Sequence, residues 1–230
     1  MAFGIQKHQQ NQQKLKEHSA YRTSLENSLL LERSAIILAD GTSSGFKEDK
    51  GLLELDNEPL IRYVYKSVRG LVDEVIIVTD SKERAKQYAK VLPDSVKFVS
   101  DMNIAKGPLI GFLAGLESAQ GNYCLLLPYD APLVSKEVLL FLFDCGVGKT
   151  ATVPRSPDNE VEPFCAVYQT KKVLEVARLV ADEGIVDMYS LVERLRGVRY
   201  ISTMVIEQID PQLRSFFSVN TPLDLKKAAV

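Results

Sequence analysis

The run AIILADGTSSGFKEDKG, Ala35 to Gly51, constrains this chain more than any other stretch. Five apolar residues, Ala35 to Ala39, lead through Asp40 into a polar loop carrying Gly41, Gly45, Lys47, Asp49 and Lys50. An apolar run this short, bounded by turn residues, reads as a buried strand. A buried strand that empties into a Gly/Ser-rich loop is how α/β proteins turn backbone N–H groups toward phosphates. The spacing fits neither familiar fingerprint. No third glycine completes G-x-G-x-x-G, and the loop lacks G-x-x-x-x-G-K-[ST].

The rest of the chain continues in the same rhythm. Ser34–Ala39 reads as the first strand, and the helix-length segment from Pro59 to Gly70 places Leu60, Val64, Ser67, Val68 and Leu71 near 3.6 spacing. Glu74–Thr79, Val96–Val99 and Asn122–Leu127 read as further strands, with the charged segment Lys82–Val91 and the small-residue segment Gly107–Ala119 as helices between them. Helices are then expected at Lys136–Phe143, Lys171–Asp182 and Asp187–Arg196, followed by an amphipathic strand pair to about Gln208. Strands alternating with helices predict a three-layer α/β/α sandwich around a mainly parallel sheet. Residues 1–33, rich in Gln, Lys, Glu and Asn and free of proline, read as a polar extension ahead of a domain spanning residues 34–230.

Composition narrows the chemistry. A net charge of −2 offers no bulk attraction to nucleic acid or to an anionic membrane. The only histidines are His8 and His18, so histidine catalysis in the body of the protein is excluded. Cys124, Cys145 and Cys165 form no C-x-x-C, and they predict neither a disulfide framework nor a zinc site. No apolar run reaches membrane-spanning length and no signal-peptide core is visible, which makes the expected location cytoplasmic. Two motifs are set aside. Gly146–Thr150 (GVGKT) mimics the end of a Walker loop, but Phe143 stands where its first glycine belongs. The charged run Lys82–Lys90 reads as the solvated face of a helix.

Three further constellations fall just past strand ends, where such a fold holds its ligands. They are Ser100-Asp101 ahead of Gly107-Pro108-Leu109, Leu125–Ser135 (LLLPYDAPLVS) around Asp130, and Ser218–Leu225 (SVNTPLDL) around Asn220. Read locally, each has a plain structural role: Asp101 opens a turn, Pro108 sits near N1 of a helix, Ser135 caps the next, and Asn220 or Thr221 caps the last. A carboxylate at a central strand end also suits Mg²⁺, which takes oxygen ligands beside phosphates.

With DKGLLELDNEPLIRYV after the first loop, these strings together resemble the molybdenum cofactor guanylyltransferases, nucleotidyltransferases that share a fold with the nucleotide-sugar transferases. In that family the loop reads roughly L-A-G-G-x-S-x-R-M-G-x-D-K. Leu38, Ala39, Gly41, Ser43 or Ser44, Gly45, Asp49 and Lys50 follow it, whereas Asp40 replaces the first glycine and the Arg-Met pair is missing, leaving Lys47 as the nearby cation. The resemblance covers about residues 35–228. It implies nucleotide contacts from Leu38, Ala39, Gly41, Lys50, Thr79 and Asp101, catalytic roles for Lys50 and Asp130, and Mg²⁺ held by Asp130 and Asn220. It places Glu162, in the strand-like Val161–Tyr168, near the bound pterin, with Arg155 and Lys172 as the cations available to offset its charge.

The implied reaction moves GMP from GTP to molybdopterin, giving the guanine dinucleotide cofactor and pyrophosphate. The implied partners are GTP and molybdopterin or another phosphorylated acceptor, with no nucleic acid and no membrane, in a monomer or weak homo-oligomer. Two alternatives stay open: a relative using CTP, a sugar phosphate or a phospholactate acceptor, and a degenerate homologue that binds nucleotide without turnover.

Overall fold

The structure, a computed structural model, describes residues 33–39, 49–100 and 107–229. Asp40, Gly41, Ser43, Ser44, Gly45, Lys47, Asp101 and the extension to residue 32 therefore lie outside the described residues. The strands are β1 (Arg33–Ala39), β2 (Glu54–Leu55), β3 (Glu58–Pro59), β4 (Glu74–Thr79), β5 (Lys97–Ser100), β6 (Tyr123–Pro128), β7 (Ala151–Arg155), β8 (Ala166–Gln169) and β9 (Val198–Ser202). The helices are α1 (Leu60–Val68), α2 (Lys82–Tyr88), α3 (Pro108–Ser118), α4 (Lys136–Gly146), α5 (Thr170–Asp182), α6 (Met188–Arg194), α7 (Thr203–Ile206) and α8 (Pro222–Ala228). None of them is long and apolar enough to cross a membrane.

Seven strands form one sheet in the order β5-β4-β1-β6-β8-β7-β9, and β8 alone runs against the rest. β1 lies between β4 and β6, so its apolar run is covered by sheet on both edges and by helices on both faces. Period-2 alternation sends Ile36, Leu38, Ile76 and Val78 to the face covered by α3, α5 and α6. The opposite face meets α1 and α4, whose Val64 and Leu139 are fully buried. This is the expected three-layer arrangement. Close packing shows at Gly115 of α3, where an added Cβ would lie 2.6 Å from Ile36 Cγ2.

Two expectations need correcting, and one unassigned stretch has structure. Between Lys50 and Leu60, β2 and β3 form a hairpin turning on Asp56 and Asn57, both left-handed with φ of 50° and 62°. Asp and Asn tolerate that region because their side chains bond locally. The strand expected at Val161–Tyr168 begins only at Ala166, since Pro163 has no N–H to donate to a ladder. The strand pair expected up to Gln208 is one strand, β9, followed by α7, because Ser202 accepts the Met204 N–H and starts a helix. β7 was not foreseen at all. Its Pro154 looks strand-breaking but lies beyond the two positions, Ala151 and Thr152, at which β7 pairs with β8.

Candidate active site

At the carboxyl ends of the central strands one ammonium joins three parts of the chain. Lys50 Nζ donates to Asp130 Oδ2 at 2.7 Å and to Asn220 Oδ1 at 2.9 Å. Asp130 follows β6, Lys50 opens a 3₁₀ turn after the glycine-containing loop, and Asn220 precedes α8. The Lys50 and Asp130 side chains are each 10% exposed. Removing one partner of so buried a pair leaves an uncompensated charge, at a cost of about 3–5 kcal/mol. Each member is held by its own element. Tyr129 N–H donates to the Leu38 carbonyl of β1, and Val219 N–H donates to the Asp130 carbonyl. Thr221, not Asn220, caps α8, in a capping box with Asp224. Asp224 also accepts the Asn220 N–H, and these bonds, the Thr221 hydroxyl foremost, keep its carboxyl below the usual range. The cap thus fixes Asn220 with its amide oxygen free to meet Lys50.

These two oxygens converge on a single cation, which is what a divalent metal requires of its first protein ligands. An all-oxygen pair, one of the two anionic, suits a hard ion such as Mg²⁺ that completes its shell with water and phosphate. Among the described residues no cluster of three or more His, Cys, Asp or Glu offers a self-sufficient metal cage.

A second network corrects the reading of Lys82–Lys90 as merely solvated. Arg84, on α2, turns inward. Its Nε lies 2.7 Å from Asp49 Oδ2, and its Nη1 lies 2.9 Å from Asp80 and donates to the Ala39 carbonyl at 3.2 Å. Asp49 Oδ1 accepts from the buried Tyr88 hydroxyl at 2.7 Å and from Gly51 N–H at 2.9 Å. Arg84 therefore ties Ala39, where the chain leaves β1, to Asp49, immediately before Lys50. Burial alone would lower the Arg84 pKa, but the Asp49 and Asp80 carboxylates outweigh it and raise it. Burial, reinforced by Asp49, likewise raises the Tyr88 hydroxyl. Tyr88 leaves Gly51 no space: a Cβ there would sit 2.5 Å from the Tyr88 oxygen. Arg84 was legible only as an arginine one turn past a strand end; nothing local marked it as turned inward.

Other expected residues distribute as follows. Leu38 and Ala39 end β1 beside Tyr129 and Arg84, through their carbonyls. Thr79 is fully buried at the end of β4, next to Ala39, with its hydroxyl donating to the Ser81 carbonyl. Glu162 stands where two hollows meet. One, of about 190 Å³, is bordered by Pro128, Ala131, Cys165 and Ser218; the other, of about 590 Å³, by Arg155, Tyr189 and Tyr200. Burial, then Glu160, raises the Glu162 pKa. Arg155 stacks 4.4 Å over the Tyr200 ring. Lys172 is exposed in the first turn of α5 and borders neither hollow.

A mainly parallel sheet whose first strand feeds a glycine-containing loop, with lysine, carboxylate and amide converging at the strand ends, defines the class of α/β nucleotidyltransferases. The synthase for 4-diphosphocytidyl-2C-methyl-D-erythritol from Anaerococcus prevotii shares the fold, with a TM-score of 0.63 at 16% identity over 86% of this chain and 95% of that one. Residues 35–198 match the profile of the MobA-like NTP transferase domain, and the chain belongs to that family. It is similar to a probable molybdenum cofactor guanylyltransferase from Methanosarcina acetivorans, 31% identical over 89% of this chain and 93% of the relative. It is also similar to the solved molybdopterin-guanine dinucleotide biosynthesis protein A from Archaeoglobus fulgidus, with a TM-score of 0.73 at 25% identity, over 85% of this chain and 96% of that one.

Proposed function

We propose that this nucleotidyltransferase transfers GMP from GTP to molybdopterin, forming the guanine dinucleotide and releasing pyrophosphate. The observation that carries the proposal is the convergence of Lys50, Asp130 and Asn220 at the strand ends of a chain that belongs to the MobA-like family. The acceptor's phosphate oxygen attacks the α-phosphorus of GTP in line. A P–O bond forms there as the bond to the β-phosphate breaks, and the bonding pair leaves with pyrophosphate. The attacking phosphate is already ionised near neutral pH, so no general base is required, which suits a body without histidine.

Side chains here supply alignment and charge. Lys50 neutralises charge building on the departing phosphates, and the Arg84–Asp49 clasp sets where Lys50 and the loop begin and end. Asp130 and Asn220 would hold Mg²⁺, which when bound neutralises phosphate oxygens and orients them. The smaller hollow beside Glu162 is bordered by Ser218, two residues from Asn220, and it receives the acceptor together with the larger hollow on the other side of Glu162.

The test is pyrophosphate release by the purified protein with molybdopterin, Mg²⁺ and GTP, CTP or ATP in turn. GTP is expected to support the fastest release, by at least about 10-fold, a discrimination worth about 1.4 kcal/mol. Faster turnover of CTP or ATP would overturn the assignment of the base.

A further inference from the structure

Lys50 sits where the metal would sit. Its ammonium uses the same oxygens, Asp130 Oδ2 at 2.7 Å and Asn220 Oδ1 at 2.9 Å, and it is shielded from water. Mg²⁺ would need those oxygens at about 2.0–2.1 Å. Two cations served by one carboxylate oxygen in a poorly solvated site repel strongly. Nor can the site stand empty, because Asp130 is buried and needs a counter-charge at every moment. With no third acidic, thiol or imidazole ligand clustered there among the described residues, a bare metal ion has little with which to displace the ammonium.

A triphosphate changes both sides of this balance. It brings oxygen ligands that complete the metal's shell, and it offers the displaced ammonium another anion. The geometry allows such a swing: Arg84 and Tyr88 pin the backbone through Asp49, while the flexible four-carbon stem of Lys50 is free to re-aim its head.

We infer that Lys50 is the resident cation of the free protein, that a divalent metal enters only together with a nucleoside triphosphate, and that Lys50 passes from Asp130 and Asn220 to the phosphates as it does. The inference rests on the reading of Asp130 and Asn220 as the metal's ligands. It makes metal and nucleotide strongly coupled ligands, with Lys50 as the coupling element.

The experiment is a Mn²⁺ titration followed by electron paramagnetic resonance, on the full chain without nucleotide. Lys50→Met should bind Mn²⁺ at least about 10-fold more tightly than wild type, within the usual range of coupling between two ligands. Adding Asp130→Asn to that variant should remove the gain. Equal or weaker binding by Lys50→Met, or a gain that survives Asp130→Asn, overturns the inference. Should Lys50→Met fail to fold, the wild type carries the test through the ¹⁵N signal of the Lys50 ammonium. Mg²⁺ alone should leave that signal in place, and Mg²⁺ with a non-hydrolysable GTP analogue should move it. A signal that Mg²⁺ alone moves to the same position overturns the inference as well. The nucleotide-free titration is indifferent to which base or acceptor the enzyme uses, so a failed guanylyl assignment and a failed exchange are told apart.

Discussion

The two halves of the sheet solve different problems with the same kinds of residue. On the parallel half, β5-β4-β1-β6, the two inward-turned cations among the described residues are both paired: Lys50 has Asp130 and Asn220, and Arg84 has Asp49, Asp80 and a carbonyl. On the mixed half, β8-β7-β9, Arg155 rests on an aromatic ring, and among the described residues neither the Glu162 carboxyl nor the buried Thr152 hydroxyl has a hydrogen-bond partner. In the free protein the parallel half holds its buried charges paired, so that an arriving triphosphate exchanges partners with them rather than meeting bare buried charge. On the mixed half, Glu162 and Arg155 border the hollows, and under the proposed function they are the groups the acceptor would meet.

If that contrast holds, breaking the parallel half has the largest effect. Lys50→Ala and Asp130→Ala should each lower pyrophosphate release by about 100-fold or more. Both should also lower the melting temperature, as one buried charge loses its counter-charge. Near-wild-type turnover in either variant would remove the pair from the chemistry. Arg84→Ala comes next. It should raise KM for the nucleotide by roughly 10-fold, about 1.4 kcal/mol, with a smaller change in kcat, because the loop ends loosen while the reacting charges remain. Arg84→Lys should recover part of the loss, having the charge without the fork that reaches both Asp49 and the Ala39 carbonyl. Unchanged KM in both variants would reduce Arg84 to a surface ion pair.

The same contrast governed what the sequence disclosed. β4 was legible to the residue and β1 to within one, since a strand buried on both faces reads as an unbroken apolar run. β1 gains Arg33 because its N–H donates to Asp73 and its guanidinium lies 4.6 Å over Phe143, tertiary contacts that no local pattern shows. Lys50, Asp130 and Asn220 were singled out by the family resemblance of the strings that carry them, yet their convergence depends on contacts spanning 80 and 170 residues. Arg84 was missed because a charged helix face looks alike whether one arginine turns inward or none does. The mixed half was read worst, because prolines 154 and 163 interrupt the alternation that marks strands.

Smaller effects belong to the mixed half. The Glu162 carboxyl has a raised pKa in the folded protein, so the native state holds its proton more firmly than the unfolded chain does. Its ionisation therefore costs stability as pH rises from the ordinary value of 4.5 through the raised one, and the full cost persists above that. Glu162→Gln should accordingly raise the melting temperature at pH 7.5 by up to about 2–4 °C, discounted for the exposed part of the side chain. The gain should vanish below about pH 4.5. A lower melting temperature at pH 7.5 would mean that the carboxylate has a partner after all, and the contrast between the halves would narrow. The smallest effect is expected from removing Met1–Leu31, which carries none of the site residues: the Kd for nucleotide should stay within about 2-fold. A soluble truncated protein that no longer binds nucleotide would extend the site into that segment.

The central claim, GMP transfer to a phosphorylated pterin, is most directly tested by following the α-phosphorus. With GTP labelled at that atom, Mg²⁺ and molybdopterin, the label should leave GTP for a product that forms only when the acceptor is present, while the β- and γ-phosphates appear as pyrophosphate. Label that stays in GTP, or that moves to product more readily from CTP, would contradict the account.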